Sequence, residues 1–387
     1  METLLIKNAR IVNEETVSPA SVFCHDGRFS AAACGCRAVY EYDADGQYLV
    51  PGFIDLHIHG VLGKLADTCK SSLKDICSLL PQFGVTGFLA ALTPCADDIA
   101  LLQELSSIQS CGSGILGFFL EGHYLKLSGA IKDIKKDYSA QRVHELIKAA
   151  QPYRLVFGVS PEIQELIPLL PIMAESGYPA FITHTCANYN ETAHAISLGA
   201  RHATHFYNVF PYPGDKEPGV RGLGAVEAIL ADPSVTVDFI LDGEHVEPAV
   251  VKMAINCKGI GSVSLITDAN SCAGLPPGTY KGLGGEEIVV GYTGGPARMS
   301  ETSWEPGGLT GSGLTMDRAV RNAVRMLGLD LPQAVRMASL NPAAVLGLQD
   351  RKGRIAPGYD ADFSILNDDL EIQACFVAGK KVYHSNK

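Results

Sequence analysis

Residues 50–60 read VPGFIDLHIHG, an apolar run that ends with His57 and His59 two positions apart. Successive side chains of a strand point to opposite faces, so a spacing of two aims both imidazoles the same way. An isolated His-x-His is more often coincidence than a metal site. The question is therefore whether later strands end in residues of the same type.

Working outward, seven more apolar runs follow at domain-like spacing: VTGFLAAL, ILGFFLE, RLVFGVS, PAFITHT, RHATHF, VTVDFIL and SVSLITD. Each is followed by a loop or an amphipathic segment of helical period, which implies parallel strands. Eight such units, counting VPGFIDLHIHG, is the number of a (β/α)8 barrel. A doubly wound open sheet is the competitor, but no glycine-rich dinucleotide fingerprint opens a helix after the first run.

Residues 1–49 contain LLIKNARIV, SVFCHDGRFSA and AVYEYDADGQYLV, short runs separated by Gly and Asp turns that read as antiparallel strands. The tail, ADFSILNDDLEIQACFVAGKKVYH, has the same texture. The expected fold class is α/β: a distorted (β/α)8 TIM barrel over 50–346, with a small β-sandwich domain formed by both termini, 1–49 and 347–387. The Gly- and Thr-rich stretch after the eighth run reads as a long excursion with one hairpin, after which the helical pattern resumes at SGLTMDRAVRNAVRML.

A chain of 387 residues suffices for one large domain and a smaller one. A formal net charge of −11 argues against a nucleic-acid or anionic-membrane surface. The start, METLLIKNARIVNEE, lacks the basic and long apolar regions of a signal peptide, and no apolar run reaches spanning length. Eleven cysteines scattered through a chain this large read as reduced thiols, which points to a cytoplasmic protein.

In a barrel, chemistry sits at the C-terminal ends of the strands. Here His57 and His59 end the first run, Glu121 the third, His184 the fifth, His205 the sixth and Asp268 the eighth. Singly, each could be a buried polar group that merely finds a hydrogen-bond partner. Together they form a donor set suited to zinc, iron or manganese.

With those residues in view, the chain resembles the amidohydrolase superfamily, and within it the N-acetylglucosamine-6-phosphate deacetylases. The matching stretches are PGFIDLHIHG, FLEG, the ITH of run five, ATHFYN, KEPGV, ILDGEHV, LITDA, GLTGSGLTM, RMASLNPAAVLGL and KGRIAPGYDADFSIL. The resemblance implies a deacetylase of an N-acetylated hexosamine 6-phosphate. It makes His57, His59, Glu121, His184 and His205 metal ligands, Glu121 a carboxylate able to bridge two ions, and Asp268 the catalytic acid/base. The first His-x-His pair favours two divalent ions per chain. For the substrate it points to His245 as a carbonyl-oxygen donor, and to Asn208 and the amide of Val209 as phosphate contacts.

Two departures from the family pattern bear on the substrate. Lys216 stands where the family places an arginine that comes from a neighbouring subunit; this implies a homodimer and leaves Arg221 as a nearby substitute. Ile131 stands where the family has a histidine, and His123 is a candidate to reach the same space. Deacetylation of a galacto or unphosphorylated sugar is the alternative activity. Cyclic-amide hydrolysis ranks lower because RLVFGVS carries no lysine, and a non-catalytic barrel ranks lower because all six ligand-type residues are present.

Overall fold

The computed structural model describes residues 3–31, 39–109, 111–131 and 137–385. All eight runs form strands of one parallel sheet, laid down in sequence order. They are β1 (Phe53–Ile58), β2 (Val85–Leu92), β3 (Gly114–Tyr124), β4 (Leu155–Val159), β5 (Phe181–Ile182), β6 (His202–Ala203), β7 (Thr236–Ile240) and β8 (Val263–Ile266). Their residues are almost all buried, as expected of parallel strands covered on both faces. Phenylalanines at 53, 88, 118, 157, 181 and 239 are fully buried and belong to the barrel core.

The sheet closes where β8 returns to β1, at the level of the histidines. The Asp268 amide donates to the His57 carbonyl at 2.9 Å, and the His59 amide donates to the Ala269 carbonyl at 3.0 Å. Beneath them the fully buried Asp55 carboxylate accepts from the Thr267 hydroxyl at 2.6 Å, from the Thr267 amide at 3.2 Å and from the His57 amide at 3.2 Å. Ser312 adds a bond from its hydroxyl to the Thr267 carbonyl at 2.6 Å.

Helices follow the strands, among them Lys70–Leu79, Ala140–Ala149 and Pro248–Lys258. Tyr189–Ser197 opens on a capping box of Asn188 with Glu191. The segment after β4 is broken into a 3-10 turn, one α-turn and a second 3-10 turn, Gln164–Ser176. Pro168 and Pro171 account for it, since proline removes a helical donor and crowds the preceding turn.

Both chain ends build a second sheet. Tyr48–Pro51 runs antiparallel to Phe363–Leu366 and parallel to Thr3–Val12, so the N- and C-terminal strands join in one hydrogen-bonded array. It has its own core, including Ile6, Leu49, Phe363, Ile365 and Phe376. The excursion after β8 is richer than the expected single hairpin. It forms a four-stranded antiparallel sheet of Gly278–Lys281, Glu287–Val290, Pro296–Met299 and Leu309–Ser312. Alternation of buried Ile288 and Val290 with exposed neighbours supplies its apolar face, a two-residue period too short to stand out among the glycines.

Thr267→Val tests the seam. It keeps the volume but removes the shortest bond to a buried carboxylate, and should cost about 2 kcal/mol in urea unfolding; an unchanged midpoint would show that Asp55 does not hold the closure.

Candidate metal and active site

The loops and strand ends at the C-terminal face bring all six ligand-type residues together. His57 Nε2 and His59 Nε2 lie 3.1 Å apart, as their shared strand face requires. Glu121 sits between the imidazoles and divides them. Its Oε2 faces His59 at 3.0 Å and His57 at 3.3 Å, while its Oε1 faces His205 at 3.0 Å and His184 at 3.4 Å. Asp268 Oδ1 lies 3.4 Å from both His57 Nε2 and His59 Nε2. Phe119 packs against His57 with ring centroids 4.7 Å apart and the ring planes at 77°.

Three of these residues take left-handed backbone angles: φ is +49° at His184, +34° at His205 and +47° at Asp268. Such strain persists only where surrounding bonds fix it. The His205 amide donates to Asp238 Oδ1 at 2.5 Å, and the other Asp238 oxygen meets His202 Nε2 at 2.8 Å in a fully buried pair. His184 Nδ1 bonds the Leu127 carbonyl at 2.9 Å, which directs Nε2 toward Glu121. Gly129 lets the same loop approach. With φ at +55°, a Cβ there would lie 2.7 Å from His184 Cε1.

The electrostatics call for added positive charge. Burial by itself would raise the Glu121 and Asp268 carboxyls, but the facing imidazoles hold both below the ordinary carboxylate range. Burial likewise opposes charge on His59 and His205, yet the same carboxylates lift them to about 10 and about 9. Metal ligation needs neutral imidazoles, so a divalent cation would take over the compensating role of those protons. Two triads, His57–Glu121–His205 and His57–His59–Asp268, have ligand atoms close enough to share an ion. The donor set fits such an ion.

Beside the cluster lies a cavity of about 310 Å³. Asn208 and Val209 line it, as does Ile131, which offers an apolar surface. The other candidates lie elsewhere. Lys216 is exposed on a hairpin of Asp215–Glu217 with Val220–Arg221. Arg221 pairs with Glu227 at 3.1 Å and stacks over Tyr212. His245 is tied through Nδ1 to Asp242 Oδ2 at 2.7 Å and is not among the lining residues.

His123 does not take the place expected of it. Its Nε2 lies 3.2 Å from Asp98 Oδ2 instead, because β3 shifts register between Leu120 and Tyr124, with Gly122 at φ +106°. That bulge breaks the alternation that would have placed His123 beside Glu121. Arg142 also reaches Asp98 at 3.0 Å. Burial alone would raise the Asp98 carboxyl, but His123 and neighbouring donors bring it down to about 2.

Sequence reasoning did not single out Asp55, Asp238, Gly129 or the Leu127 carbonyl. Inward-pointing acids in the runs FIDLH and VTVDF were the available signal for the first two.

The profile described as the Amidohydrolase family matches residues 258–382. An N-acetylglucosamine-6-phosphate deacetylase from Lysinibacillus sphaericus is 33% identical over 395 positions, covering 98% of this chain and 97% of that protein. The chain belongs to the N-acetylglucosamine-6-phosphate deacetylase family of amidohydrolases. An N-acetylgalactosamine-6-phosphate deacetylase from Escherichia coli O157:H7 is 30% identical, over 87% of this chain and 88% of that one. Among solved structures, a mutant N-acetyl-D-glucosamine-6-phosphate deacetylase from Mycobacterium smegmatis, in complex with N-acetyl-D-glucosamine-6-phosphate, superposes with a TM-score of 0.85 at 28% identity. That match covers 99% of this chain and 100% of the other. This family member is thus a metal-dependent hydrolase whose barrel carries a divalent-metal site.

Two measurements probe the surroundings of the site. Gly129→Ala should leave the fold intact by circular dichroism but lower bound metal at least severalfold, since the new methyl displaces His184; full metal content would refute the packing argument. Asp98, depressed from its ordinary 3.8 to about 2, contributes stability that is present above the higher value and is lost as pH falls through the lower. Asp98→Asn should therefore flatten the stability–pH curve over that window in urea titrations.

Proposed function

We propose that the chain removes acetate from an N-acetylated hexosamine 6-phosphate, N-acetylglucosamine 6-phosphate first, to give the amino sugar phosphate. The observation that carries this is the division of four imidazoles by the two oxygens of Glu121, with Asp268 set against one pair. That arrangement supports two ions, drawn from zinc, iron or manganese, which His57, His59, Glu121, His184 and His205 would hold, with both carboxylate oxygens of Glu121 available to them. When bound, such cations lower the pKa of a water toward neutrality and polarise an acyl oxygen.

The chain's own residues supply the proton movements. Asp268, held ionised by its imidazole neighbours, accepts a proton from the water that adds to the acyl carbon. It then delivers that proton to the amine nitrogen as the C–N bond breaks, leaving acetate and the amino sugar. The family resemblance supports His245, held by Asp242 outside the cavity lining described above, as the donor to the acyl oxygen as charge develops there. Asn208 and Val209 would meet the sugar phosphate from the cavity wall.

No lysine or arginine is among the described residues lining the cavity. A phosphate would find its cation on Lys216 of a second copy, which supports a two-fold homodimer. Tyr189, Tyr212, Val220 and Leu223, all exposed around that hairpin, supply apolar surface for the contact. The same lack of a lining cation favours, as the second reading, an unphosphorylated N-acetyl sugar; the galacto epimer is the other variant. No helix among the described residues is long and apolar enough to cross a membrane, and the abundance of free thiols supports a cytoplasmic location.

Asp268→Asn should lower turnover of N-acetylglucosamine 6-phosphate by at least about a thousandfold while fold and metal content persist. The wild-type enzyme should lose activity to a chelator and recover it with divalent metal. Near-normal turnover in the variant, or activity indifferent to chelation, would refute the assigned chemistry.

A further inference from the structure

One charged side chain of the cavity has no part in the chemistry above. Glu305 lines it, from the turn that joins Pro296–Met299 to Leu309–Ser312. The residue is exposed, so it stands at the mouth. Its arm lies across bare Gly308, where an added Cβ would come within 3.0 Å of Glu305 Cγ and 3.2 Å of Cδ. The next residue, Leu309, also lines the cavity.

The turn is braced. The Gly308 amide donates to the Glu305 carbonyl and the Gly307 amide to the Met299 carbonyl, each at 3.0 Å. Arg298 Nη1 donates to the Gly307 carbonyl at 3.1 Å, and its Nη2 reaches Glu244 Oε2 at 3.4 Å. Tyr292 donates its hydroxyl to the other Glu244 oxygen at 3.0 Å. Glu244 belongs to the loop after β7, so the turn carrying Glu305 is tied to a neighbouring barrel loop.

An ionised carboxylate only accepts hydrogen bonds. With the acetamido group turned to Asp268, the donors a hexosamine offers toward the mouth are its ring hydroxyls. A phosphate dianion next to Glu305 would be repelled, and no lysine or arginine among the described lining residues offsets that repulsion. We infer that Glu305 is a specificity-determining residue, accepting hydrogen bonds from the sugar hydroxyls while the 6-phosphate points away from it, toward Asn208 and Val209. This rests on the deacetylase reading given above.

The test uses the metal-loaded full chain with Glu305→Ala and Glu305→Gln. Glu305→Ala should raise KM for N-acetylglucosamine 6-phosphate about tenfold, with kcat within about twofold. Glu305→Gln, which keeps an acceptor but loses the charge, should fall between Glu305→Ala and wild type. Trp304, the sole tryptophan and the immediate neighbour of Glu305, gives a second readout. Titration with glucosamine 6-phosphate should change its fluorescence, and Glu305→Ala should weaken that binding by a similar factor. KM values within twofold of wild type in both variants would overturn the assignment, as would a lower KM in Glu305→Gln, which would mean that the phosphate faces the carboxylate. A wild-type enzyme that turned over no N-acetyl hexosamine 6-phosphate would be a different result, removing the deacetylase reading itself.

Discussion

The bond network of Asp55 with Thr267 holds the molecule's central constraint, because it sits where the eighth strand must find the first. Closing a parallel sheet of eight strands requires the last partner to meet the first at the correct register. Here the meeting point is a carboxylate with three donors, buried so fully that its pKa is pushed up to about 7 despite them. Two residues past Asp55 and one past Thr267, the Asp268 amide donates to the His57 carbonyl the bond that completes the ring. Closure and convergence are thus one event: the register that satisfies Asp55 also sets Asp268 against His57 and His59.

The rest of the site follows from charge. A buried carboxylate is tolerated only when opposite charge and hydrogen bonds surround it. Glu121 meets that requirement with four imidazoles, one pair per oxygen, and the imidazoles in turn depend on fixed backbone. His184 and His205 stand just past two-residue strands, in left-handed conformations that Leu127, Gly129 and Asp238 hold in place. The short length of β5 and β6 is therefore tied to the site, since each strand ends where its chain turns to aim a histidine inward.

Much of this was legible in the sequence. Apolar runs with strand-like length gave all eight barrel strands, and the i, i+2 spacing gave the convergence of His57 with His59. Reading failed where a local backbone irregularity changed the rule. His123 is two residues beyond Glu121 and would share its face in a regular strand, but the bulge at Gly122 turns it to Asp98. The excursion after β8 hid two strands beyond the expected hairpin because glycines interrupt its alternation. Lys216 and Arg221 carry charge in a segment whose direction no pattern encodes, and their exposure emerged only from the folded hairpin. Asp238 and Gly129 act through hydrogen bonds and empty space, neither of which leaves a motif.

The division between what was readable and what was not mirrors a division of labour in the barrel. Ligand-type residues sit at strand ends, where neighbours on both sides fix them and periodic patterns reveal them. The walls of the cavity come from the loop after β3, with Gly129 and Ile131, and from the excursion between β8 and the helix Met316–Asn322, with Leu283, Glu305 and Leu309. Within these segments Leu127, Gly129 and Ser312 are tied to His184, Thr267 and Asp268, whereas among the described residues Ile131 and Glu305 carry no such bond to those of the metal site. A relative acting on the galacto epimer at 30% identity is consistent with variation at such untied positions. The preference of this chain among N-acetyl hexosamines is therefore to be sought in Ile131 and Glu305, which differ from the metal-site residues in having no part in closing the barrel.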